Sequence, residues 1–469
     1  MKKILAIAWL TWKAAFRFKL VAVLLTLMIF TVVVLPVIIK DDGTARGFVQ
    51  ILLTYTLTVI AGLLGLCTLW IACGTLARDI EECQIQLVAT KPISRWQIWI
   101  GKWLGIILLD TAILTVTGIL LLGLFSWRAS KLDPKQQHIL FNEVLVARQG
   151  VKPQYPIKEL EKQAQQLLKE RLSLLQHTNL DRIDIQSVRR EILEQLKADY
   201  QLVPPMTLSS PGYRRWDLNL GINPAKIKGK PLYIRTKFYA GNATFSGTVT
   251  AMWQVGVPGT AKVWRSEPMS LAPDTFHEIE IPPDLFDKNG DITVVFINLS
   301  DVPLIFPMEE GIELLYPAGL FVWNFARGLG IIICWMALLA ALGLATASYL
   351  SFPVAAFVAM AALALTFSTG IMSTAISEGI LSKYDEQTHR FIPSILDMIF
   401  IPLFKAILAV ISPVKQFSPI DKLTTGRLIT WAELAQAILI VVALVGGLLA
   451  AVGNYLFYKR ELAGGEATK

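Results

Sequence analysis

Few residues in this chain are spaced for chemistry. The nearest approach to a metal or catalytic cluster is the stretch "FHEIEI", where His277, Glu278 and Glu280 stand close together. On a strand alternate side chains leave opposite faces, so His277 points away from both glutamates. The other histidines, His138, His177 and His389, are scattered, and Cys67, Cys73, Cys83 and Cys334 form no C-x-x-C pair. The Gly-Lys pairs at Gly101 and Gly229 lack the upstream glycine and the following Ser or Thr of a phosphate-binding loop. Two features keep their interest. Asp110 lies inside a long apolar run, where an ionisable side chain is costly unless paired or hydrated. It reads either as a pathway or dimer-interface residue or as a structural hydrogen bond to a neighbouring span, with Thr54, Tyr55 and Asn454 as candidate partners. The second feature is the polar stretch 81–103, "EECQIQLVATKPISRWQIWIGKW", which interrupts the apolar runs and carries Pro92 at its centre.

The elements around these residues are membrane helices. The chain is 54% hydrophobic and only 17% charged over 469 residues, with a mean hydropathy of +0.52, outside the range of an ordinary soluble domain. Runs long enough to cross roughly 30 Å of hydrocarbon as helix occur at 20–39, 49–76, 103–127, 328–350, 352–376 and 432–458. The expected fold is therefore an α-helical polytopic membrane protein with six spans and an inserted external α+β domain. Its parts are residues 1–19, spans one to three at 20–127, an insertion at 128–317, spans four and five at 318–376, a loop at 377–431, and span six with the tail at 432–469.

Lys and Arg mark cytoplasmic loops. Lys2, Lys3, Lys13, Arg17 and Lys19 precede the first run, Arg78, Lys91, Arg95 and Lys102 lie between the second and third, and Lys459 and Arg460 follow the last. Both termini and the 81–103 stretch are thus expected in the cytoplasm, and the insertion and the 377–431 loop outside. Within that loop, 392–413 is long enough to span but is interrupted by Pro393, Asp397, Pro402 and Lys405. It is expected to form external interfacial or re-entrant helices. No small-x-small cleavage site ends the first run. The preceding stripe of Leu5, Trp9, Trp12 and Phe16, with Lys13 and Arg17 beside it, predicts a helix in the cytoplasmic interface that touches membrane lipid. Arg327, at the outer end of span four, reads as a headgroup contact.

The insertion carries 23 Lys and Arg against 22 Asp and Glu, so only +1 of the chain's +8 resides there. No basic domain exists to meet nucleic acid. Residues 156–201 show a helical stripe of Leu160, Ala164, Leu167, Leu168, Leu172 and Leu175 broken at 178–181, a helical hairpin. Residues 204–306 turn to short alternating runs with Gly, Pro and Asn punctuation, a β-sandwich. With no cysteine in the insertion, no disulfide is available to it.

The polar stretch can be read in detail. Residues 79–90 suit a short helix with Ile80, Cys83, Leu87 and Val88 on one side and Asp79, Glu81 and Glu82 at its N-terminus. Pro92 stops it. Ser94 with Gln97 three residues on is a capping-box pattern that opens the next helix, and Trp96, Trp99 and Trp103 are expected at the membrane boundary. On these residues alone, an interfacial loop helix without a partner fits equally well.

Residues 78–105, "RDIEECQIQLVATKPISRWQIWIGKWLG", resemble the signature of ABC transporter permeases of the exporter (type 2) class, and "FYKREL" at 457–462 is similar to the end of such chains. Cys83 and Ile85 stand where the family more often has basic, glycine or threonine residues. The resemblance implies that 79–91 is a coupling helix, through which Glu81, Glu82, Cys83, Leu87, Pro92, Ser94, Arg95 and Lys102 engage an ABC ATPase subunit. It implies no cofactor in this chain, with ATP and Mg bound by that partner. It further implies a second permease copy as a homodimer, or a similar permease, and a bacterial inner membrane. The insertion lies outside the family's common core and could meet a separate envelope partner. The competing expectation is a non-transporting membrane scaffold, or an envelope enzyme acting through its external domain.

Overall fold

The computed structural model describes residues 2–17, 19–38, 45–82, 84, 93–130, 133, 134, 137, 140, 145–174, 185–207, 212–221, 227–242, 245, 247–257, 259, 260, 262–378, 383–385, 390–392 and 395–460. Its helices are α1 (Lys2–Arg17), α2 (Lys19–Ile38), α3 (Ala45–Glu81), α4 (Arg95–Ala129), α5 (Ile157–Leu174), α6 (Ile185–Gln201), α7 (Phe321–Ala347), α8 (Phe352–Phe367), α9 (Thr369–Glu378), α10 (Ile395–Lys415), α11 (Pro419–Thr424), α12 (Trp431–Ala437) and α13 (Gly447–Lys459). A π-helical stretch, Ile438–Gly446, joins α12 to α13. The three form one last helix, Trp431–Lys459.

The chain divides into a helical unit, Met1–Val146 with Leu320–Lys469, and an inserted unit, Ala147–Gly319. In the helical unit four helices are long and apolar enough to cross a membrane: Gln50–Glu81, Arg95–Trp127, Phe321–Ala347 and Trp431–Lys459. A helix pair bent by 40°, Phe400–Ala409 and Ile411–Thr424, makes five if it counts as one span. Two of the six expected runs appear among the described residues as shorter apolar helices, Val21–Leu35 and Phe352–Phe367. The 352–376 run is divided between α8 and α9. At that break the Thr366 and Ser368 hydroxyls donate to Leu363 O (2.6 Å) and Ala364 O (3.3 Å).

Small residues let the helices approach closely, as membrane packing favours. A Cβ on Gly343 of α7 would lie 2.7 Å from the Ala72 Cβ of α3, and one on Gly118 of α4 would lie 2.7 Å from Leu329 of α7. Helix α1 packs on α4 in the same way. A Cβ on Gly101 would meet Ile7 at 2.7 Å, and one on Gly105 would meet the Ala8 carbonyl at 2.6 Å. The buried face of α1 is therefore Ile7, Ala8, Thr11 and Ala15, while Leu5 and Trp9 of the expected stripe stay exposed.

The inserted unit is built from β1 (Val146–Val151), β2 (Leu202–Val203), β3 (Tyr213–Asn219), β4 (Leu232–Thr236), β5 (Tyr239–Ala240), β6 (Val249–Gly256), β7 (Val263–Arg265), β8 (Met269–Leu271), β9 (His277–Ile281), β10 (Asp291–Asn298), β11 (Leu304–Ile305) and β12 (Ile312–Leu320). One sheet has the order β1-β12-β4-β9, a second has β3-β10-β6-β7 with β8 also on β6, and a small third has β2-β11-β5. Alternation decides the faces. Val249, Ala251, Trp253 and Val255 of β6, Ile292, Val294 and Phe296 of β10, and Ile234, Ile312 and Leu314 of the first sheet enter a single core. The turn before β10 uses Gly290 at φ 81, a left-handed conformation that suits glycine. Helices α5 and α6 pack through Ala164, Leu168 and Ile192.

Candidate functional site

The residues around the polar stretch meet at one end of the helical unit. Helix α3 does not stop where its apolar run stops at Leu76; it continues to Glu81. Asp79 and Glu81 consequently lie at the C-terminal end of a long helix, not at the N-terminus of a new one, and the helix dipole there disfavours negative charge. Neighbouring helices compensate both acids. Asp79 pairs with the Lys102 ammonium of α4 at 2.5 Å, and Lys102 Nζ also donates to Thr75 O at 2.8 Å. Glu81 Oε1 accepts from the Phe352 backbone N–H at 2.9 Å, at the start of α8, where free N–H groups favour a carboxylate. The Arg78 guanidinium covers the Phe352 ring at 4.6 Å.

Helix α4 opens at Ser94, whose carbonyl accepts from Gln97 N (3.0 Å) and Ile98 N (3.3 Å) and whose N–H donates to Gln97 Oε1 (3.4 Å). That is the reciprocal half of a capping box. The next residue makes the longest reach in sequence. Arg95 Nη1 donates to Phe457 O (2.9 Å), Tyr458 O (2.7 Å) and Arg460 O (3.0 Å). These lie at the C-terminal end of the last helix, where carbonyls lack intrahelical donors. Arg460 Nη1 in turn is within 3.3 to 3.5 Å of Ala347 O, Ser348 O and Leu350 O at the end of α7. Glu81, Ser94, Arg95 and Lys102 thus share one region, with Arg78, Phe352 and Arg460, which the sequence reading did not connect. Glu82 is exposed and accepts from Gln84 Nε2 at 2.6 Å. Cys83, Leu87 and Pro92 lie outside the described residues.

The tryptophans and Arg327 differ from expectation. Trp96 is exposed, but Trp99 is buried beside Gly453 and Trp103 Nε1 donates to Ala337 O at 2.8 Å. Two of the three indoles therefore serve helix packing, because the face of α4 that carries them turns toward α7 and the last helix. Arg327 is buried, donates from Nε to Trp323 O at 3.1 Å and covers the Trp431 ring at 5.3 Å. It holds two helices together.

Asp110 is buried between helices. The Thr68 hydroxyl of α3 donates to Asp110 Oδ1 at 3.0 Å, lies 2.7 Å from Leu64 O and 3.7 Å from Met336 Sδ of α7. Asp110 Oδ2 has no hydrogen-bond partner among the described residues. Of the readings left open, the geometry contains the hydrogen bond to a neighbouring span, with Thr68 in place of Thr54, Tyr55 or Asn454.

In the inserted unit His277 Nε2 lies 2.7 Å from Ala272 O and 3.0 Å from Thr275 Oγ1, while Glu278 accepts from Arg148 at 2.9 Å. These side chains do not converge, as the strand alternation requires. No family model, curated protein or solved structure matches the chain.

Proposed function

We propose that the chain is the membrane-spanning permease subunit of an ATP-driven exporter, coupling hydrolysis on a separate ATPase subunit to movement of an amphipathic or envelope substrate. The joint of helix ends around Arg95, Lys102, Asp79 and Glu81 carries this reading. The 83–92 segment leaves α3 just after Glu81 and enters α4 at Arg95. A partner gripping it would act on helix ends fastened to α7, α8 and the last helix. The two stretches that resemble exporter permeases also meet there, since Arg95 belongs to one and Phe457, Tyr458 and Arg460 to the other. ATP and Mg would be bound by the partner.

In this reading six spans cross a bacterial inner membrane, with both termini and the 83–92 segment cytoplasmic. The gathering of the α3, α4, α7 and last-helix ends with their basic residues supports that orientation. The inserted domain, a helical hairpin with a β-sandwich, would lie outside and could meet an envelope partner. A second permease copy or a similar permease would complete the pathway. In support, only 22% of the apolar window of the last helix is buried, against 50 to 61% in the other three long helices. Membrane lipid covers what the second copy does not.

The reading is tested by purifying the tagged chain from its native membrane in mild detergent and assaying Mg-dependent, vanadate-sensitive ATP hydrolysis. An ATPase in stoichiometric amount supports it; a chain that purifies with no ATPase at all contradicts it.

A further inference from the structure

Near the start of α7 a cation stands without an anion. Arg327 is only 8% exposed, its Nε donates to Trp323 O at 3.1 Å and its guanidinium lies 5.3 Å from the centre of the Trp431 ring. Among the described residues no carboxylate pairs with it, and Nη1 and Nη2 meet no acceptor. The acids of this corner are already engaged: Glu433 accepts from Lys422 and Asp421 from Ser418 Oγ at 2.6 Å. Asn324, fully buried one turn before Arg327, donates to Arg427 O at 2.8 Å and accepts from Ile429 N at 2.7 Å. Gly328 admits Leu423 of α11, since a Cβ there would stand 2.5 Å from it. These contacts hold the turn before α12 against α7 and so set the Trp431 ring over Arg327.

Depth decides what can neutralise the charge. From Arg327 to Ala347, α7 rises about 30 Å at about 1.5 Å per residue, roughly the thickness of the hydrocarbon, and no charged residue lies between them. With α7 crossing a bilayer, Arg327 stands at one boundary, where the exposed indoles of Trp323 and Trp431 suit an interfacial belt. A boundary arginine ordinarily extends its head to water or lipid. This one is enclosed and bonded back along its own helix, and an enclosed cation without a counter-ion is costly. An anion has to come to it. We propose that Nη1 and Nη2 of Arg327, walled by Trp431, form a fixed binding site for the phosphate of an anionic membrane amphiphile. A guanidinium fork matches phosphate geometry, which an ammonium does not. Two turns into the last helix, exposed Ile438 and Leu439 offer apolar surface to the acyl chains. The site goes beyond the exporter reading: it needs α7 to cross a membrane and does not depend on an ATPase.

Native mass spectrometry of the full chain in nonionic detergent, titrated with phosphatidylglycerol or with phosphatidylcholine of the same acyl chains, tests this. The wild type should bind its first phosphatidylglycerol at least about tenfold more tightly than its first phosphatidylcholine, as charge-assisted bonds to one anion require. Arg327→Gln should abolish the preference and Arg327→Lys should keep it in part, while Arg215→Gln, at an exposed position of β3, should leave it intact. Arg327 also braces Trp431, so a second reading uses the wild type alone: phosphatidylglycerol with a photoreactive headgroup should label residues 320–331 and 427–434. Should Arg327→Gln not fold, that label decides. Equal first affinities in the wild type, a preference that survives in a folded Arg327→Gln chain, or label confined to other segments overturns the site. Displacement of the lipid by an equal concentration of inorganic phosphate would mean a free-anion site and overturns the amphiphile.

Discussion

Thr68 on α3 donates a 3.0 Å hydrogen bond to Asp110 on α4, and the pair is buried in the helical unit beside Met336 of α7. The buried carboxyl has one satisfied oxygen and is joined to α3, while the Thr68 hydroxyl that joins it also lies against α7. A double-mutant cycle between Thr68→Val and Asp110→Ala, read by unfolding in a lipid-detergent mixture, should give a coupling of about 0.6 kcal/mol with a ceiling near about 1.7. No coupling would mean that the hydroxyl serves only its own helix through Leu64 O.

The Lys102–Asp79 pair should behave as a half-buried ion pair, since Lys102 is almost fully enclosed and a third of the Asp79 side chain is exposed. Removing one partner from such a pair leaves the other uncompensated. Asp79→Asn should therefore lower stability by about 2 kcal/mol, below the fully buried limit, and Lys102→Met in the same chain should recover most of the loss. A double variant less stable than Asp79→Asn would show that the ammonium is held mainly by Thr75 O.

How much of this was legible in the sequence follows the range of each interaction. Apolar runs announce long helices because burial in lipid is summed over consecutive residues, and alternating runs announce the sheet-rich insertion. Local pairs such as Ser94 and Gln97 are legible for the same reason: both partners lie within one turn. The Arg95 contact with Phe457 spans 362 positions and has no local signature. The end of α3 at Glu81 was hidden because helical hydrogen bonding continues past the last apolar residue. The buried face of α1 was hidden because Ile7, Ala8 and Thr11 fit two close-packed glycines, a shape match that hydropathy does not encode. The division of 352–376 at Ser368 has no counterpart in the hydropathy of the run, which stays apolar across it.

The glycine contact makes its own prediction. Gly105→Ala should destabilise the helical unit by about 1–3 kcal/mol as an overpacked site, because its methyl would stand 2.6 Å from the Ala8 carbonyl. Gly62→Ala, which meets nothing within 4 Å, should be neutral or gain up to about 1 kcal/mol of helix propensity. Thermal unfolding of the two variants side by side decides it; equal behaviour would mean that α1 is not clamped to α4.

The inserted unit, Ala147–Gly319, has its own core and no cysteine. Expressed alone it should melt cooperatively, with no effect of reductant. Its acid limb should depend on Asp217. Burial would raise that carboxyl, but hydrogen bonds from Thr293 and Arg215 outweigh it and hold the group below its ordinary range. A depressed folded-state value adds stability above the unfolded value of about 3.9, and that stability is lost as pH falls through the folded value. Asp217→Asn should flatten the loss between neutral and acid pH; an unaltered acid limb would exclude Asp217 as its source.

The central claim is that the 83–92 segment engages an ATPase. An interface of this kind rests on a few buried anchors worth about 2 kcal/mol or more each, and Leu87 is the apolar residue the helical spacing puts at mid-segment. The most direct measurement is quantitative copurification of the ATPase with Leu87→Glu, beside Lys131→Glu, which follows the C-terminal end of α4, as control, both inserted in the membrane at wild-type levels. The account predicts at least about a thirtyfold loss of ATPase binding for Leu87→Glu, the equivalent of about 2 kcal/mol, and none for the control. Full ATPase binding and ATP-driven transport by Leu87→Glu would contradict it.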